Sequence, residues 1–278
     1  MFVRAHWNEI LSFCDAETAG DVRFTCKTFH EWVPFTDTIQ KLRIYWEQKI
    51  RDVMLYPKLE EIEISGLVLF IANTDHLKHP NVRKIHAACV DADFRNVTAA
   101  RFPRLEHLSI TNTPTTHIFS TLVGLHTLSI AFTEVRILPA TLVNLEYLNI
   151  AGTPISRIPP QYTKLRKLYC SHSSVFRIPR QLLDLEYLDC SYTTVNCIPK
   201  TLRLEFLNCD HTFVRRFHWA VGHKLLGLSM SFTRIERLPR SFSLIQELHV
   251  RQCSLRSIPS NFINLKVVYK DPNSKLDQ

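Results

Sequence analysis

Glycine is scarce in this chain, which has only 6 glycines among 278 residues. Loops that cradle phosphates need several glycines at close spacing, so a nucleotide-binding loop of that kind is excluded. The sequence also has no paired catalytic carboxylates and no motif that joins a nucleophile to a base. We therefore predict a protein that is not an enzyme and that carries no cofactor.

Long apolar runs are missing as well. The longest of them, LVLFIA from Leu67, is far below the roughly 20 residues that span a bilayer. The opening residues MFVRAHWNEI have no apolar core of the kind found in secretion signals. The expected location is the cytoplasm or the nucleus, of a host cell if the chain is viral, without membrane association.

The chain has 8 cysteines but no C-x-x-C pair of the kind that binds metals. Three of these cysteines, Cys170, Cys190 and Cys209, fall in one sequence column with Ile130 and Ile150. Aliphatic neighbours in the column indicate a buried position, where free cysteine packs as a small hydrophobic side chain. We predict core packing for these cysteines and no metal site.

The chain is rich in one repeating pattern of about 20 residues. The unit is L-x-x-L-x-(I/C)-x-x-T-x-(V/I)-x-x-(I/L)-P-x-x-(L/F), as in LEYLNIAGTPISRIPPQYTK from Leu145. A fixed period of this length indicates a tandem array whose units stack on one another. The units begin at Leu105, Leu125, Leu145, Leu165, Leu185, Leu204, Leu225, Ile245 and Leu265.

Each unit predicts one short strand followed by an extended return. Leu148 and Ile150 alternate with Tyr147 and Asn149, which is the period of a strand with one buried face. Later apolar positions turn back to the same core, and Pro159 favours an extended connection rather than a helix. The pattern resembles the short form of the leucine-rich repeat. That resemblance implies an α/β solenoid with a parallel sheet on its concave face and a mostly irregular or 3-10 convex side.

One column that usually holds asparagine in this family holds mainly hydroxyl residues here. A buried, unpaired backbone group costs about 1–3 kcal/mol, and a hydroxyl can both donate and accept a hydrogen bond. We expect this column to satisfy backbone groups after each strand, and the array to loosen at Cys253, which does so poorly. The column comprises Thr113, Thr133, Thr153, Ser173, Thr193, Thr212, Thr233 and Cys253.

Two further strand starts precede the regular units, at Leu59 (LEEIEI) and Val82 (VRKIHA). They match the strand part of the repeat and depart from its turn. Upstream of them, apolar residues from Thr38 to about Leu55 also fit a helix. The predicted domains are a helical module over 1–45, a connecting helix over 46–58, the solenoid over 59–270 and a polar tail over 271–278.

The first 45 residues follow a different pattern from the repeats. In EILSFCDAETAGDVRFTCKTFHEW, apolar residues recur at helical spacings, and Asp15 is placed to cap a second helix. The stretches ILSFCDA from Ile10 and TCKTF from Thr25 match parts of the F-box consensus, so residues 2–42 resemble a small, all-α F-box-like cap. The alternative is a plain amphipathic cap that closes the open end of the solenoid.

The F-box resemblance implies a partner for the N-terminal module. It implies docking on a Skp1-like adaptor of a cullin ubiquitin ligase, with the repeats capturing an unknown protein substrate. The chain would then be the non-catalytic substrate-recognition subunit of an SCF-type ligase, and a monomer outside that complex. The alternative is a leucine-rich-repeat binding or scaffold protein without any link to ubiquitin. The resemblance assigns adaptor contacts to Phe2, Val3, Trp7, Ile10, Leu11, Phe13, Asp15, Val22, Cys26, Lys27 and Phe29.

Aromatic residues recur at the outward strand positions and just after the strands. Exposed aromatic side chains at this density favour protein recognition on the concave face. Charged neighbours of both signs favour a protein or peptide ligand over a polyanion. Alternatively, the aromatic columns only stabilise the sheet, as cross-strand pairs of about 0.2–1 kcal/mol do. The predicted partner-binding residues are Phe132, Tyr147, Tyr169, His172, Tyr187, Tyr192, Phe206, His211 and Phe232.

The formal net charge is +8, and many of the basic residues follow the turn near the proline column. Such an edge could meet nucleic acid or an acidic partner. No nucleic-acid motif accompanies it, so we favour a solvated basic edge and predict no nucleic-acid partner. These residues are Arg157, Arg177, Arg180, Lys200, Arg215, Arg216, Arg237 and Arg240.

Overall fold

The structure, a computed structural model, describes residues 21–24, 40–44, 58–65, 78–88, 94 and 97–271. Within these residues it contains thirteen short strands and two 3-10 turns. Among the same residues, no helix has the length and apolar character needed to cross a membrane. The chain forms two compact units, residues 1–115 and 116–278.

The first unit contains five strands that pair in chain order, each parallel to the next. Parallel neighbours require a crossover of a dozen or more residues, and the repeat supplies it. Each repeat therefore adds one strand to the sheet. The strands are β1 (Asp21–Phe24), β2 (Lys41–Ile44), β3 (Glu61–Ser65), β4 (Lys84–Ala88) and β5 (His107–Thr111).

The second unit contains eight strands that also pair in chain order and in parallel. Equivalent residues lie opposite each other, as Leu148 does with Leu168. Side chains from one sequence column therefore form a row across the sheet. The strands are β6 (Thr127–Ser129), β7 (Tyr147–Asn149), β8 (Lys167–Tyr169), β9 (Tyr187–Asp189), β10 (Phe206–Asn208), β11 (Gly227–Ser229), β12 (Glu247–His249) and β13 (Val267–Tyr269).

The core lies between the strands and the return segments, as the repeat pattern predicts. Leu145, Leu148 and Ile150 are fully buried, and Ile155 from the return segment is fully buried against them. Burying a leucine or isoleucine side chain stabilises a fold by about 1.5–3 kcal/mol, so a row of such residues holds each coil to the next. The fold is the leucine-rich-repeat solenoid that the sequence pattern predicts.

The cysteine column is part of this core. Cys170, Cys190 and Cys209 are all fully buried. Burial raises the pKa of each of these thiols, so they stay protonated and behave as small apolar side chains. The prediction of core packing is confirmed. Within the described part of the chain, no cluster of histidine, cysteine and acidic residues could hold a metal ion.

The return segments are mostly irregular, with 3-10 turns at Trp219–Gly222 and Arg240–Phe242. In each unit that has the repeat's proline, the residue three positions later is large and packs into the core. In the unit with Pro159 this residue is Tyr162. Its ring is fully buried, and its hydroxyl donates a hydrogen bond to the carbonyl oxygen of Pro139 at 2.8 Å. A larger side chain is thus accommodated because its polar atom has a partner.

The hydroxyl column does what the sequence predicts. Each hydroxyl from Thr113 to Thr233 donates to the backbone carbonyl three residues earlier, over 2.6–3.3 Å. At Cys253 the sulfur lies 3.2 Å from the Val250 carbonyl oxygen instead. The next strand still pairs in register, with Leu248 opposite Val268, so the loosening expected at Cys253 stays a prediction.

The helical prediction is wrong where β1 and β2 lie. Residues Asp21–Phe24 fall inside the predicted all-α module, and Lys41–Ile44 fall inside the predicted helix from Thr38, yet both are strands of the parallel sheet. Val22, assigned to adaptor contact on a helix, lies in β1. The other assigned adaptor contacts lie outside the described residues, as do residues 45–57 and 272–278.

The physical reason is that the repeat period continues upstream of Leu59. The sequence IQKLRI from Ile39 has the same apolar spacing as LEEIEI, 20 residues later. Leu42 lies opposite Ile62 in the sheet, and Ile44 lies opposite Ile64. Spacings of three and two residues fit both a helix face and this repeat, and pairing with β3 selects the strand.

We expect Thr193→Val to lower the free energy of unfolding by about 1–3 kcal/mol, because it leaves the Cys190 carbonyl oxygen buried without its 2.6 Å hydroxyl donor. Valine keeps the branched shape, so loss of packing is small. The measurement is urea unfolding followed by circular dichroism. The exposed neighbour Thr194 provides the control, and an equal effect of Thr194→Val would contradict the assignment.

Candidate functional site

The predicted partner-binding residues lie on the outward face of the sheet in the second unit, and eight of the nine form two groups. The strand cluster comprises Tyr147, Tyr169, Tyr187 and Phe206. The turn ladder comprises His172, Tyr192, His211 and Phe232. The ninth residue, Phe132, lies apart from both groups.

The strand cluster is a continuous row of rings across four strands. Tyr147 and Tyr169 have ring centroids 5.4 Å apart, Tyr169 and Tyr187 4.8 Å, and Tyr187 and Phe206 6.2 Å. All of these distances lie within the range of favourable aromatic pairs. A Cβ atom at Gly227 would lie 2.7 Å from the Phe206 ring. The ring can therefore take this position because residue 227 is a glycine.

The turn ladder is a tighter stack. Its successive rings have centroids 4.2, 4.2 and 4.1 Å apart and are inclined by only 12–17°. Strands in a sheet are about 4.8 Å apart, so rings from one column can stack almost face to face. The four rings therefore form one flat aromatic strip that crosses four coils.

The backbone under the turn ladder is left-handed. His172, Tyr192, His211 and Phe232 have φ angles of 52–58°. For a residue with a side chain this conformation costs roughly 1–2 kcal/mol. The sheet holds it in place, because the Tyr192 amide donates to the Asp210 carbonyl oxygen at 2.9 Å in the next coil. The same conformation recurs at Asn112, Gly152 and Gln252, so it belongs to the turn of the repeat and not to the ladder alone.

A glycine interrupts the ladder at its upstream end. Gly152 occupies the ladder column with φ of 66°, and its amide makes the same bond to the next coil. A Cβ atom there would lie 2.5 Å from the ring of Phe132, which covers the glycine. Phe132 is 63% exposed, and among the described residues no ring contact joins it to His172. The ladder proper therefore begins at His172.

Much of the aromatic surface is open to solvent. Tyr192 is 50% exposed, Phe232 is 42% exposed and Phe206 is 41% exposed. Exposed aromatic side chains that are held rigidly lose little conformational entropy on binding. The two groups share three coils, with the strand cluster at the strand residues and the turn ladder just after them. This arrangement can bind a ligand with a flat or apolar surface.

A row of polar side chains under the rings was missed by sequence reasoning. Asn149 and Asn208 each accept a hydrogen bond at 3.1 Å from the amide two residues later, and Asp189 accepts one at 3.0 Å from Ser191. These are Asx turns, which fix the backbone that presents the ladder. The sequence signal was the recurrence of Asn or Asp at the last strand residue.

Asp210 is a half-buried acid of this surface. Its carboxylate accepts hydrogen bonds from the Ser229 hydroxyl at 2.7 Å and from the Ser231 amide at 2.6 Å. Burial raises the pKa of Asp210, while these hydrogen bonds and the nearby His249 and His211 act in the opposite direction. Partial burial likewise raises the pKa of Tyr147 and of Tyr187, so both phenols stay neutral.

A groove of about 1150 Å³ lies at the edge where the chain enters the strands, near Lys164, Lys200, Arg203 and Trp219. It coincides with the irregular part of the array, where a unit of 19 residues from Leu185 precedes one of 21 residues. Arg166 pairs with Glu186 at 2.8 Å on its wall. The groove is a second feature that the strand pattern alone does not reveal.

Solved structures with the same fold include bacterial leucine-rich-repeat proteins. The functional domain of InlJ from Listeria monocytogenes, which includes a cysteine ladder, matches with a TM-score of 0.70, 17% identity and 87% of this chain covered. The chain spans only 55% of that domain. A leucine-rich-repeat protein of Leptospira interrogans matches with a TM-score of 0.64 and 18% identity, over 87% of this chain and 74% of the other.

An internalin of Listeria monocytogenes, InlF, matches with a TM-score of 0.59 and 14% identity, over 86% of this chain and 88% of the other. At these identities the similarity shows the leucine-rich-repeat fold. No protein-family model matches the chain, and a comparison with curated protein sequences finds no match. The class of protein thus rests on the fold, and the functional assignment rests on the site.

We expect Asp210→Asn to be more stable than the wild type at pH 7. The pKa of the folded carboxyl is raised above 3.8, so the folded state of the wild type binds more protons than the unfolded state and loses stability as the pH rises through the folded pKa. The advantage of the variant should shrink as the pH falls through the raised folded pKa and should reach its minimum below about 4, the pKa of the unfolded carboxyl. Urea unfolding at pH 3.5, 5 and 7 measures it, and a constant difference would contradict the prediction.

Proposed function

We propose that this chain is a leucine-rich-repeat binding protein that captures a protein or peptide partner on the outward sheet face of its second unit. The observation that carries the proposal is the turn ladder, four stacked rings on left-handed backbone, of which His172, Tyr192 and Phe232 are exposed. The bacterial neighbours support a binding solenoid through the fold alone.

The aromatic side chains are not required by the turn itself. Gly152 makes the same turn without a ring, and Asn112 and Gln252 make it with short or flexible polar side chains. The left-handed conformation costs any residue other than glycine roughly 1–2 kcal/mol, and a ring pair across strands returns about 0.2–1 kcal/mol, so aromatic residues are not the least costly choice for this turn. Stabilisation alone therefore accounts poorly for rings at four successive positions, and recognition supplies the missing reason.

The surroundings of the rings favour a protein ligand. Arg166 and Glu186 neutralise each other beside the strand cluster, and Asp189 and Asp210 place negative charge near the ladder. A polyanion would be repelled by these carboxylates. A protein or peptide surface with apolar residues and a few donor groups fits both the rings and the acids.

We expect the double variant Tyr192→Asn, Phe232→Asn to weaken partner binding at least about tenfold, because central aromatic residues carry most of the binding energy of interfaces. Asparagine tolerates left-handed backbone, so the fold is retained. Affinity capture with tagged wild type identifies candidate partners, and surface plasmon resonance then compares the purified proteins.

The matched control is the double variant Phe176→Asn, Phe213→Asn. These phenylalanines are 42% and 63% exposed, and they follow the hydroxyl column and are not members of the turn ladder. The control should bind the partner like the wild type. Equal losses in both double variants, or a partner that binds both ladder and control variants normally, would rule out the proposed face.

The link to ubiquitin is a finer hypothesis that rests on the F-box resemblance alone. If it holds, tagged wild type co-purifies with Skp1, and the double variant Ile10→Asp, Leu11→Asp loses Skp1 because charge replaces apolar contact. Circular dichroism of the variant checks that the repeats remain folded. Absence of Skp1 from the wild-type preparation would remove the ligase part and leave the binding solenoid unaffected.

A further inference from the structure

We propose that a separate site on the return segments of the second unit binds the phosphoryl group of a phosphate monoester, either free or carried on a phosphorylated peptide. The site is the arginine cluster, which comprises Arg215, Arg216, Arg234 and Arg237. It goes beyond the proposed partner face, because it lies after the hydroxyl column rather than at the strands.

The four arginines surround one concavity of about 370 Å³, together with a single acid, Glu236. All four are exposed, so their guanidinium groups are accessible to a ligand from solvent. A guanidinium presents its N–H donors as a planar fork that matches the oxygens of phosphate. A concavity of this size suits one compact group.

The repeat brings these charges together. Arg216 and Arg237 occupy the same position in consecutive units, four residues after Thr212 and Thr233. Adjacent coils therefore place one arginine beside the other, and like charges side by side in a ladder are destabilising. Arg215 and Arg234 add two more positive charges at the same place. An anion bound between the coils relieves this repulsion.

The protein does not neutralise the cluster itself. Glu236 is engaged by Arg256, whose Nη2 lies 2.5 Å from the glutamate Oε2. Among the described residues, no carboxylate pairs with any of the four arginines. Four guanidinium groups thus line a concavity in which the one lining acid, Glu236, is already paired with the guanidinium of Arg256. The missing counter-charge is what a phosphoryl group supplies.

The extent of the cluster favours a compact ligand over a nucleic acid. In the preceding unit the equivalents of Arg215 and Arg216 are Asn196 and Cys197, and in the following unit Ser257 stands in place of Arg237. Cys197 and Ser257 therefore separate the cluster from the other basic residues of this column, such as Arg177. Nucleic-acid backbones are held by rows of cationic contacts along the chain, which this interruption does not provide.

The test uses inorganic phosphate as the probe on the full chain. Thermal unfolding in phosphate should show a higher Tm than in sodium chloride of equal ionic strength, because binding to the folded state stabilises it. In the double variant Arg216→Ala, Arg237→Ala, the phosphate effect should disappear, with the apparent Kd raised at least about tenfold. In chloride this variant should unfold no earlier than the wild type.

A charge-matched control removes two arginines elsewhere. Arg136 and Arg203 are exposed and lie outside the cluster, so Arg136→Ala with Arg203→Ala should keep the full phosphate effect. Binding of a phosphoserine peptide, compared with the same peptide without phosphate, then shows whether the phosphoryl group is free or carried on a peptide. Tighter binding of the phosphopeptide than of phosphate supports a protein-borne group, and equal binding supports a free monoester.

Three results would overturn the proposal. The first is a Tm in phosphate that equals the Tm in matched chloride. The second is a phosphate effect that the Arg216→Ala, Arg237→Ala variant retains. The third is binding of a single-stranded oligonucleotide that phosphate does not compete away, because it would assign the arginine edge to a polymer rather than to one phosphoryl group.

Discussion

The parallel backbone ladder is the constraint on which the rest of the structure depends. It sets adjacent coils about 4.8 Å apart and keeps equivalent residues opposite one another. Whatever residue type fills a sequence column therefore becomes a continuous row in space. Leucine columns become the core, and hydroxyl columns satisfy one carbonyl in each coil. Aromatic columns become stacks, and arginines in neighbouring units become a cluster of like charge.

The turn after each strand shows how this ladder imposes geometry on single residues. The hydroxyl of Thr193 ties the turn to the carbonyl of Cys190, and the side chain of Asp189 accepts from the amide of Ser191. Between them, the amide of Tyr192 must reach the carbonyl of Asp210 in the next coil. Only left-handed backbone meets these requirements together. The ring of Tyr192 is then fixed in direction and stacks on its neighbours without further adjustment.

Features that recur in every repeat could be predicted from the sequence, whereas features of single units could not. The period, the buried columns and the hydroxyl column were predictable because eight units give the same answer. The strand at Lys41–Ile44 was missed, since its apolar spacing fits a helix equally well until pairing with β3 is known. The sequence predicted the aromatic residues of the outward face, but it did not predict that the turn ladder lies on left-handed backbone. Gly152, which separates Phe132 from the ladder, becomes meaningful only when the ring above it is seen.

Comparison of the units with one another separates folding from function. Columns that the fold requires vary little, as in the hydroxyl column, where threonine recurs from Thr113 to Thr233 with one serine. The left-handed column follows the same backbone but runs through Asn112, Phe132, Gly152, His172, Tyr192, His211, Phe232 and Gln252. Since the turn accepts such different side chains, folding does not choose among them. The aromatic run from His172 to Phe232 is therefore not required by folding, which is why we propose that it serves recognition of a partner.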